Sequence, residues 1–336
     1  MNLLKYINNK YIRFLYFAIE HMRQKLFLIF IITCMLQYRV KANILFDSTE
    51  NKVSLIILGT IQDAGSPQIN CKKDCCKDLF VHPDKNRKIV SLGVIDYIHQ
   101  KKYLFETTPY ITSQSQALQK TIASNVFLDG IFLTHTHIGH YTGLMYLGKE
   151  GMNASNINVY AMPKMKLFLE QNGPWSQLVQ HKNIELNELY NENKVTLTSQ
   201  LNVIPFIVPH RDEFSETVGY TIIGPNKKAL FIPDIDKWEK WNKNIIEEIS
   251  KVDYAFIDGT FFDAEEINNR NIAEIPHPFI TESMNKFKDL SKEEKNKIYF
   301  IHFNHTNPVL QKNSVQEKKV IENGFHISKI NDTFNL

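Results

Sequence analysis

Residues 131–140 read Ile-Phe-Leu-Thr-His-Thr-His-Ile-Gly-His, and Tyr141-Thr142-Gly143 follow. The apolar run Ile131–Leu133 has the character of a buried strand. Its three imidazoles therefore fall in the loop at the strand's C-terminal end, where open α/β sheets place ligand sites. His135 and His137, two apart on an extended segment, point to the same side. Imidazole is the commonest metal ligand. A lone buried histidine is usually a satisfied core residue, but three around one glycine have no packing reason. The run predicts a metal centre at a strand end.

The same grammar repeats outward from this run. Leu55–Leu58 is a short apolar strand ending at Gly59-Thr60, and a Gly/Pro/Asn-rich loop leads from it to Cys71. Residues 90–96 and 103–106 pair across Gln100-Lys101-Lys102, and a helix near 111–123 precedes the histidine strand. A helix over 141–150 leaves the metal loop. A strand follows at 159–161, then a helix over 164–171 opened by Pro163 and broken at Gly173-Pro174-Trp175. Strands over 195–208, 217–223 and 229–232 come next, then a helix over 239–250 and a strand over 253–257. A long loop to 280, a helix over 281–290 and a strand over 298–301 complete the series. Strands in two groups with helices interspersed predict an α/β sandwich of sheets flanked by helices, in one domain over 43–336.

Polar residues sit where these strands end. His210 follows the strand 203–209, Asp234 follows Ala229–Ile232 and Pro233, and His302 follows Ile298–Ile301. Asp236 is a rival for Asp234, and register with the strand end favours Asp234. Asp63, Glu106, Asp258 and Thr260 also lie at strand ends, as outer partners that orient metal ligands.

The segment Thr134–Gly143 resembles the His-x-His-x-Asp-His signature of the metallo-β-lactamase superfamily, with Gly139 in the aspartate position. Leu58-Gly59-Thr60, Gly65-Ser66-Pro67-Gln68-Ile69-Asn70-Cys71 and the segment His302–Pro308 make it similar to the PQQ-biosynthesis protein B group and its phosphodiesterase relatives. The resemblance spans 53–310. It implies the αββα sandwich, with His135, His137 and His210 on one metal and His140, His302 and Asp234, the bridging carboxylate, on the other. The first set suits catalytic Zn²⁺, with Mn²⁺ or Fe²⁺ as alternatives. The aspartate replaced by Gly139 normally ligates the second metal. Without it that site is left with two histidines and one carboxylate, a set that suits non-haem Fe(II). A weakened second site is expected, and Gly139→Asp should strengthen it.

His277 lies in Ile275-Pro276-His277-Pro278-Phe279, in a loop stiffened by its prolines. The resemblance implies general-acid action there toward a leaving group, to which histidine's pKa is suited; a structural loop histidine is the other reading. Cys71, Cys75 and Cys76 lie within six residues, which leaves open a disulfide or a metal site. Related enzymes carry a structural Zn²⁺ here, completed by a histidine three residues after the last active-site histidine. In this chain that residue is His305, and the resemblance favours a Cys₃His zinc site.

The 336 residues carry a formal net charge of +3 from dispersed lysines mixed with acids. There is no strong nucleic-acid signal, which would be a clustered basic face. The N-terminus differs in kind. Arg23-Gln24-Lys25 precedes the 11-residue apolar run Leu26–Leu36, and Val40-Lys41-Ala42 offers a cleavage site before Asn43. Residues 1–42 thus read as a signal segment, and the protein as exported, periplasmic or secreted. An uncleaved segment would be its membrane anchor, although a comfortable span needs ~20 apolar residues.

A metal-dependent hydrolase of a small phosphodiester or ester is the leading expectation. In it, water whose pKa is lowered to ~7 by the metal supplies hydroxide, and Asp234 holds it. An Fe-dependent oxygenase of the PQQ-biosynthesis B type is the alternative, and export argues against it. A non-catalytic metal-binding relative is the third reading, and the intact His₃ set argues against that. Trp175, Phe261, Phe262 and Phe279 would line a pocket for a small-molecule substrate or simply pack the core.

Overall fold

The computed structural model describes residues 21–23, 25–33, 35, 53–122, 124–267 and 275–336. The chain divides into two compact units, Met1–Glu50 and Asn51–Leu336. The expected signal segment falls mostly outside the described residues. Within it, 21–23 and 25–33 are helical, and no helix among the described residues is long and apolar enough to cross a membrane.

The larger unit is built on two seven-stranded sheets. One runs in the order β14 (Thr333–Asn335), β1 (Val53–Gly59), β2 (Ser91–Asp96), β3 (Lys101–Phe105), β4 (Gly130–Phe132), β5 (Ile157–Ala161), β6 (Ile184–Glu188). The other runs β13 (His326–Ile327), β12 (Ile298–Ile301), β11 (Tyr254–Asp258), β10 (Lys228–Ile232), β9 (Val218–Ile223), β8 (Asn202–Ile207), β7 (Val195–Thr196). Each sheet is half antiparallel and half parallel. In the first, β14 to β3 alternate in direction and β3 to β6 run parallel. In the second, β10 to β13 run parallel and β7 to β10 alternate.

Three apolar layers follow from the period-two alternation of strands. Phe132 faces the layer between the sheets with Leu55, Val94, Phe105, Tyr220, Phe231 and Phe256. Its neighbours Ile131 and Leu133 face outward onto helices at Ile111–Gln119 and Pro163–Gln171 through Leu118, Met165 and Leu169. The outer face of the second sheet, with Leu230, Ile232 and Ile257, is covered by Ile245–Ser250, Ile280–Lys286 and Val315–Glu322. This is the expected αββα sandwich. At its centre Phe132 stacks on Phe105 at 4.8 Å and on Tyr160 at 4.4 Å, with Tyr220 edge-on at 5.6 Å. Truncating such a ring costs about 3–5 kcal/mol, so β4, which delivers the histidines, is held by a stacked aromatic cluster in the core.

Two expected helices break into short pieces, and those expected over 111–123 and 281–290 end early, at Gln119 and Lys286. Residues 141–150 hold the end of a four-residue helix, Ile138–Tyr141, and a 3₁₀ stretch, Thr142–Leu147. Residues 239–250 split into a 3₁₀ turn and the helix Ile245–Ser250, which Asn244 caps by accepting from the Ile246 N–H at 3.0 Å.

Candidate metal centre

Strand ends converge on one cleft. β4 runs into Thr134–His140, β8 into His210, β10 into Asp234, β11 into Asp258 and β12 into His302. His135, His137, His210 and Asp234 form one group in which each residue offers a ligand atom within 4.8 Å of the others. Asp63, His140, Asp234 and His302 form a second. Asp234 belongs to both. Its Oδ2 lies 3.3 Å from His135 Nε2, 3.2 Å from His210 Nε2, 3.7 Å from His137 Nδ1 and 3.9 Å from His302 Nε2. Register alone favoured Asp234 over Asp236. The structure puts Asp234 at the centre and Asp236 behind His210.

Outward ring nitrogens meet polar groups that orient the rings. Thr134 Oγ1 meets His135 Nδ1 at 2.9 Å, Asp236 Oδ1 meets His210 Nδ1 at 3.1 Å, and Thr260 Oγ1 meets His302 Nδ1 at 2.9 Å. Around His140 Nδ1, Thr134 Oγ1 lies at 3.5 Å and the wholly buried Glu106 brings Oε2 to 3.4 Å, its carboxylate oxygens making no hydrogen bond among the described residues. The inward atoms are the reverse. Nε2 of His135, His140, His210 and His302 and Oδ1 of Asp63 are buried and find no hydrogen-bond partner among the described residues. Leaving so many buried polar atoms unmade would cost about 1–3 kcal/mol each. The arrangement fits cations, which would satisfy all of them together. Charge agrees: burial lowers the affinity of His210 for a proton, but Asp234 and Asp236 more than offset it and push its pKa up to about 9. A cation would take that proton's place.

The sequence reading of the second site needs correction. It left that metal two histidines and one carboxylate, with Asp63 as an outer partner. Asp63 instead enters the cleft, its Oδ1 2.7 Å from His140 Nε2 and 3.6 Å from His302 Nε2. A Cβ at Gly139 would lie 2.5 Å from Asp63 Cα and 2.7 Å from Asp63 Oδ1. The carboxylate missing from position 139 is thus matched by one from position 63, and the space for it exists because residue 139 has no side chain. A side chain at 139 would meet Asp63, which counts against the expectation that Gly139→Asp strengthens the site.

His277 also reaches the cleft. It is 8% exposed, with Nδ1 2.9 Å from Asp258 Oδ2 and 3.2 Å from Asp234 Oδ1. Burial disfavours its charge, yet Asp258 and Asp234 outweigh this and raise its pKa well above the ordinary value. Phe261 stands edge-on to its ring at 5.9 Å. Of the other aromatics, Trp175 packs on Tyr141 and Phe168, and Phe262 and Phe279 are buried in the outer core region. At the rim, Arg211 Nη2 lies 3.0 Å from His137 Nε2 while its side chain is 60% exposed; sequence reasoning passed over this residue because nothing local marks it.

Away from the cleft, Cys71, Cys75, Cys76 and His305 bring their ligand atoms within 4.8 Å of one another. The three thiols are free, and the Cys75 and Cys76 sulfurs stand 3.8 Å apart. His305 Nδ1 meets Asn304 Oδ1 at 3.1 Å, leaving Nε2 to offer. Burial, with Cys76 and Cys71 beside it, pushes the Cys75 thiol up to about 12. Such a thiol is poorly reactive alone and suited to a cation that would deprotonate it.

Comparison with known proteins agrees with this geometry. Residues 101–303 match the family described as the beta-lactamase superfamily domain. The coenzyme PQQ synthesis protein B of Methylorubrum extorquens (strain PA1) is 22% identical over 304 residues, covering 84% of this chain and 99% of that protein. That of Methylococcus capsulatus is 24% identical over 299 residues, covering 81% and 96%. Among solved structures, Zn²⁺-bound PqqB from Methylobacterium extorquens superposes with a TM-score of 0.71 at 20% identity, covering 84% of this chain and all of that one. A diphosphatase of the PhnP family superposes with a TM-score of 0.57 at 20% identity, covering 85% and 97%. With two sheets in αββα layers, a histidine-rich cleft at the strand ends fit to hold metal, and a family match over most of the sandwich, the chain belongs to the metallo-β-lactamase superfamily.

Proposed function

We propose that this protein is a metallo-hydrolase acting on a small phosphodiester or ester. The observation that carries the reading is the pair of ligand sets sharing Asp234, each with protein donors enough for a cation. Beside the resemblance to the PQQ-biosynthesis B group, the case for oxygenase chemistry was a second site with a single carboxylate. Asp63 gives that site two, alongside His140 and His302, a donor set suited to a two-metal clamp on an in-line displacement. Bound there, a pair of Zn²⁺ ions, or Mn²⁺ in their place, would lower the pKa of water to ~7 and polarise the oxygen of the scissile group.

The chain's own groups supply the rest. Asp234, shared by both ligand sets, would help hold both cations and would orient the attacking water. His277, anchored through Nδ1 on Asp258 beside Asp234, is the group that passes a proton to the departing oxygen. Arg211, charged and exposed beside His137, gives an anionic substrate a partner at the rim. The Cys71, Cys75, Cys76 and His305 cluster is the place for a structural Zn²⁺. A small-molecule substrate fits this reading, and the N-terminal segment remains the route to export or to the membrane.

A second reading is kept because the curated relatives that cover 81–84% of this chain carry the name coenzyme PQQ synthesis protein B. On that reading the centre takes Fe²⁺ and oxidises a tyrosine-derived compound. The test is metal-free protein reconstituted with Zn²⁺, Mn²⁺ or Fe²⁺ and screened against phosphodiesters by ³¹P NMR. Phosphomonoester product with Zn²⁺ or Mn²⁺ supports the hydrolase. Oxygen uptake with Fe²⁺ and a phenolic substrate, with no phosphodiester turnover, supports the second reading.

A further inference from the structure

We propose that Asp63 is a carboxylate ligand of the second metal beside Asp234, and that Gly139 is glycine in order to admit it. The inference rests on the cleft being a metal centre and holds whichever reaction is run there.

Three observations carry it. The first is exclusion. A Cβ at position 139 would stand 2.5 Å from Asp63 Cα and 2.7 Å from its Oδ1, so an aspartate at 139 and this placement of Asp63 cannot coexist. Residue 139 lies in the helix Ile138–Tyr141 and has no left-handed φ, so the backbone does not ask for glycine. Glycine inside a helix costs about 1 kcal/mol relative to alanine, and the space it leaves for Asp63 accounts for it.

The second is direction. Asp63 Oδ1 is buried and lacks a hydrogen-bond partner among the described residues. It stands 2.7 Å from His140 Nε2 and 3.6 Å from His302 Nε2, and those nitrogens are buried and unpartnered in the same way. These three ligand atoms, with Asp234 as the fourth, all lie within 4.8 Å of one another, an arrangement that fits a cation.

The third is rigidity. Ile61 bridges to both Ile89 and Phe303. Gln62 donates to the Phe303 carbonyl at 2.8 Å, and Phe303 donates to the Thr60 carbonyl at 2.8 Å. The chain then turns at Gly65, with φ +76°, whose N–H donates to the Gln62 carbonyl at 2.9 Å. Asp63 is therefore pinned beside Phe303, the residue after His302, so the loop after β1 and the loop after β12 deliver their ligands as one unit.

Counting bound zinc by native mass spectrometry tests this without any turnover. The wild type should hold two ions in the cleft and one on the cysteines. Asp63→Asn keeps the side chain's size and should lose one cleft ion, or bind it at least about 100-fold more weakly. Gly139→Ala touches no donor atom and should lose the same ion by displacing Asp63. Gly139→Asp, which restores the superfamily pattern, should lower occupancy too. Thiolate-to-Co²⁺ absorption of the cobalt-loaded variants should be unchanged, showing an intact fold and cysteine cluster. Asp63→Asn or Gly139→Ala binding both cleft ions with wild-type affinity overturns the proposal, as does a wild type that holds one. A wild type holding no cleft ion overturns the metal reading itself.

Discussion

His277→Ala should separate substrates by their leaving groups. The ring's Nδ1 lies 2.9 Å from Asp258 and 3.2 Å from Asp234, and its side chain is 10% exposed, so the ring is held at the cleft with little freedom. A positioned general acid contributes about 10²–10⁴-fold, or roughly 3–5 kcal/mol at 1.36 kcal/mol per tenfold. That loss should appear in full for an alkyl phosphodiester, whose leaving oxygen must be protonated. It should shrink to less than about tenfold for bis(4-nitrophenyl) phosphate, whose phenolate leaves without a proton. Steady-state kcat/KM on both substrates, with cleft metal content measured alongside, reads the difference. Asp258→Asn should follow His277→Ala on the alkyl ester, because the carboxylate that orients the ring is lost. Equal losses on the two substrates at unchanged metal content would refute the general acid and leave His277 a structural partner of Asp234 and Asp258.

Three further outcomes follow from other parts of the molecule. Cys76→Ser should lower the thermal midpoint, since a structural metal contributes folding energy directly, and it should also loosen the second cleft ion, because Cys71–Cys76 and Asp63 share the loop after β1; metal counting and thermal melts check both, and unchanged values would contradict it. Tyr220→Phe removes the hydroxyl that donates to the Leu133 carbonyl just before the histidine run and should destabilise by about 1–3 kcal/mol in urea unfolding, as a buried carbonyl loses its partner. Burial pushes the Glu266 carboxyl up to about 7, and hydrogen bonds from Thr306 and the Phe262 N–H offset this only in part. With the folded pKa above the unfolded 4.5, its contribution is present below about pH 4.5 and lost as pH rises through 7. Glu266→Gln should therefore gain stability over the wild type between pH 5 and pH 8, by about 1–2 kcal/mol because the group is partly exposed. A difference independent of pH would count against it.

The ligand histidines were legible because each stands at the end of a short apolar strand, and strand ends are where such sheets gather polar groups. His135, His137 and His140 announce themselves by clustering, and His210, Asp234 and His302 by following β8, β10 and β12. Asp63 was not legible as a ligand. Its role depends on Ile61 pairing with Phe303, more than two hundred residues away, and on a volume left empty at Gly139, and neither leaves a local mark. β14 was missed for the same kind of reason. Its three residues pair beside β1, a contact between the two ends of the sandwich that no periodicity reports. β6 escaped because it lies at a sheet edge and carries Glu185 and Glu188 among few apolar residues. The two short helices were overread because apolar residues at helical spacing also suit 3₁₀ turns packed under a strand.

Hydrolysis from a two-metal cleft is most directly tested by zinc-reconstituted protein turning over bis(4-nitrophenyl) phosphate in H₂¹⁸O under nitrogen. The expected result is metal-dependent turnover without oxygen, with one ¹⁸O in each phosphate product and loss of turnover in Asp234→Asn. Protein that holds both cleft ions yet gives no metal-dependent product from any phosphodiester or ester would contradict the account.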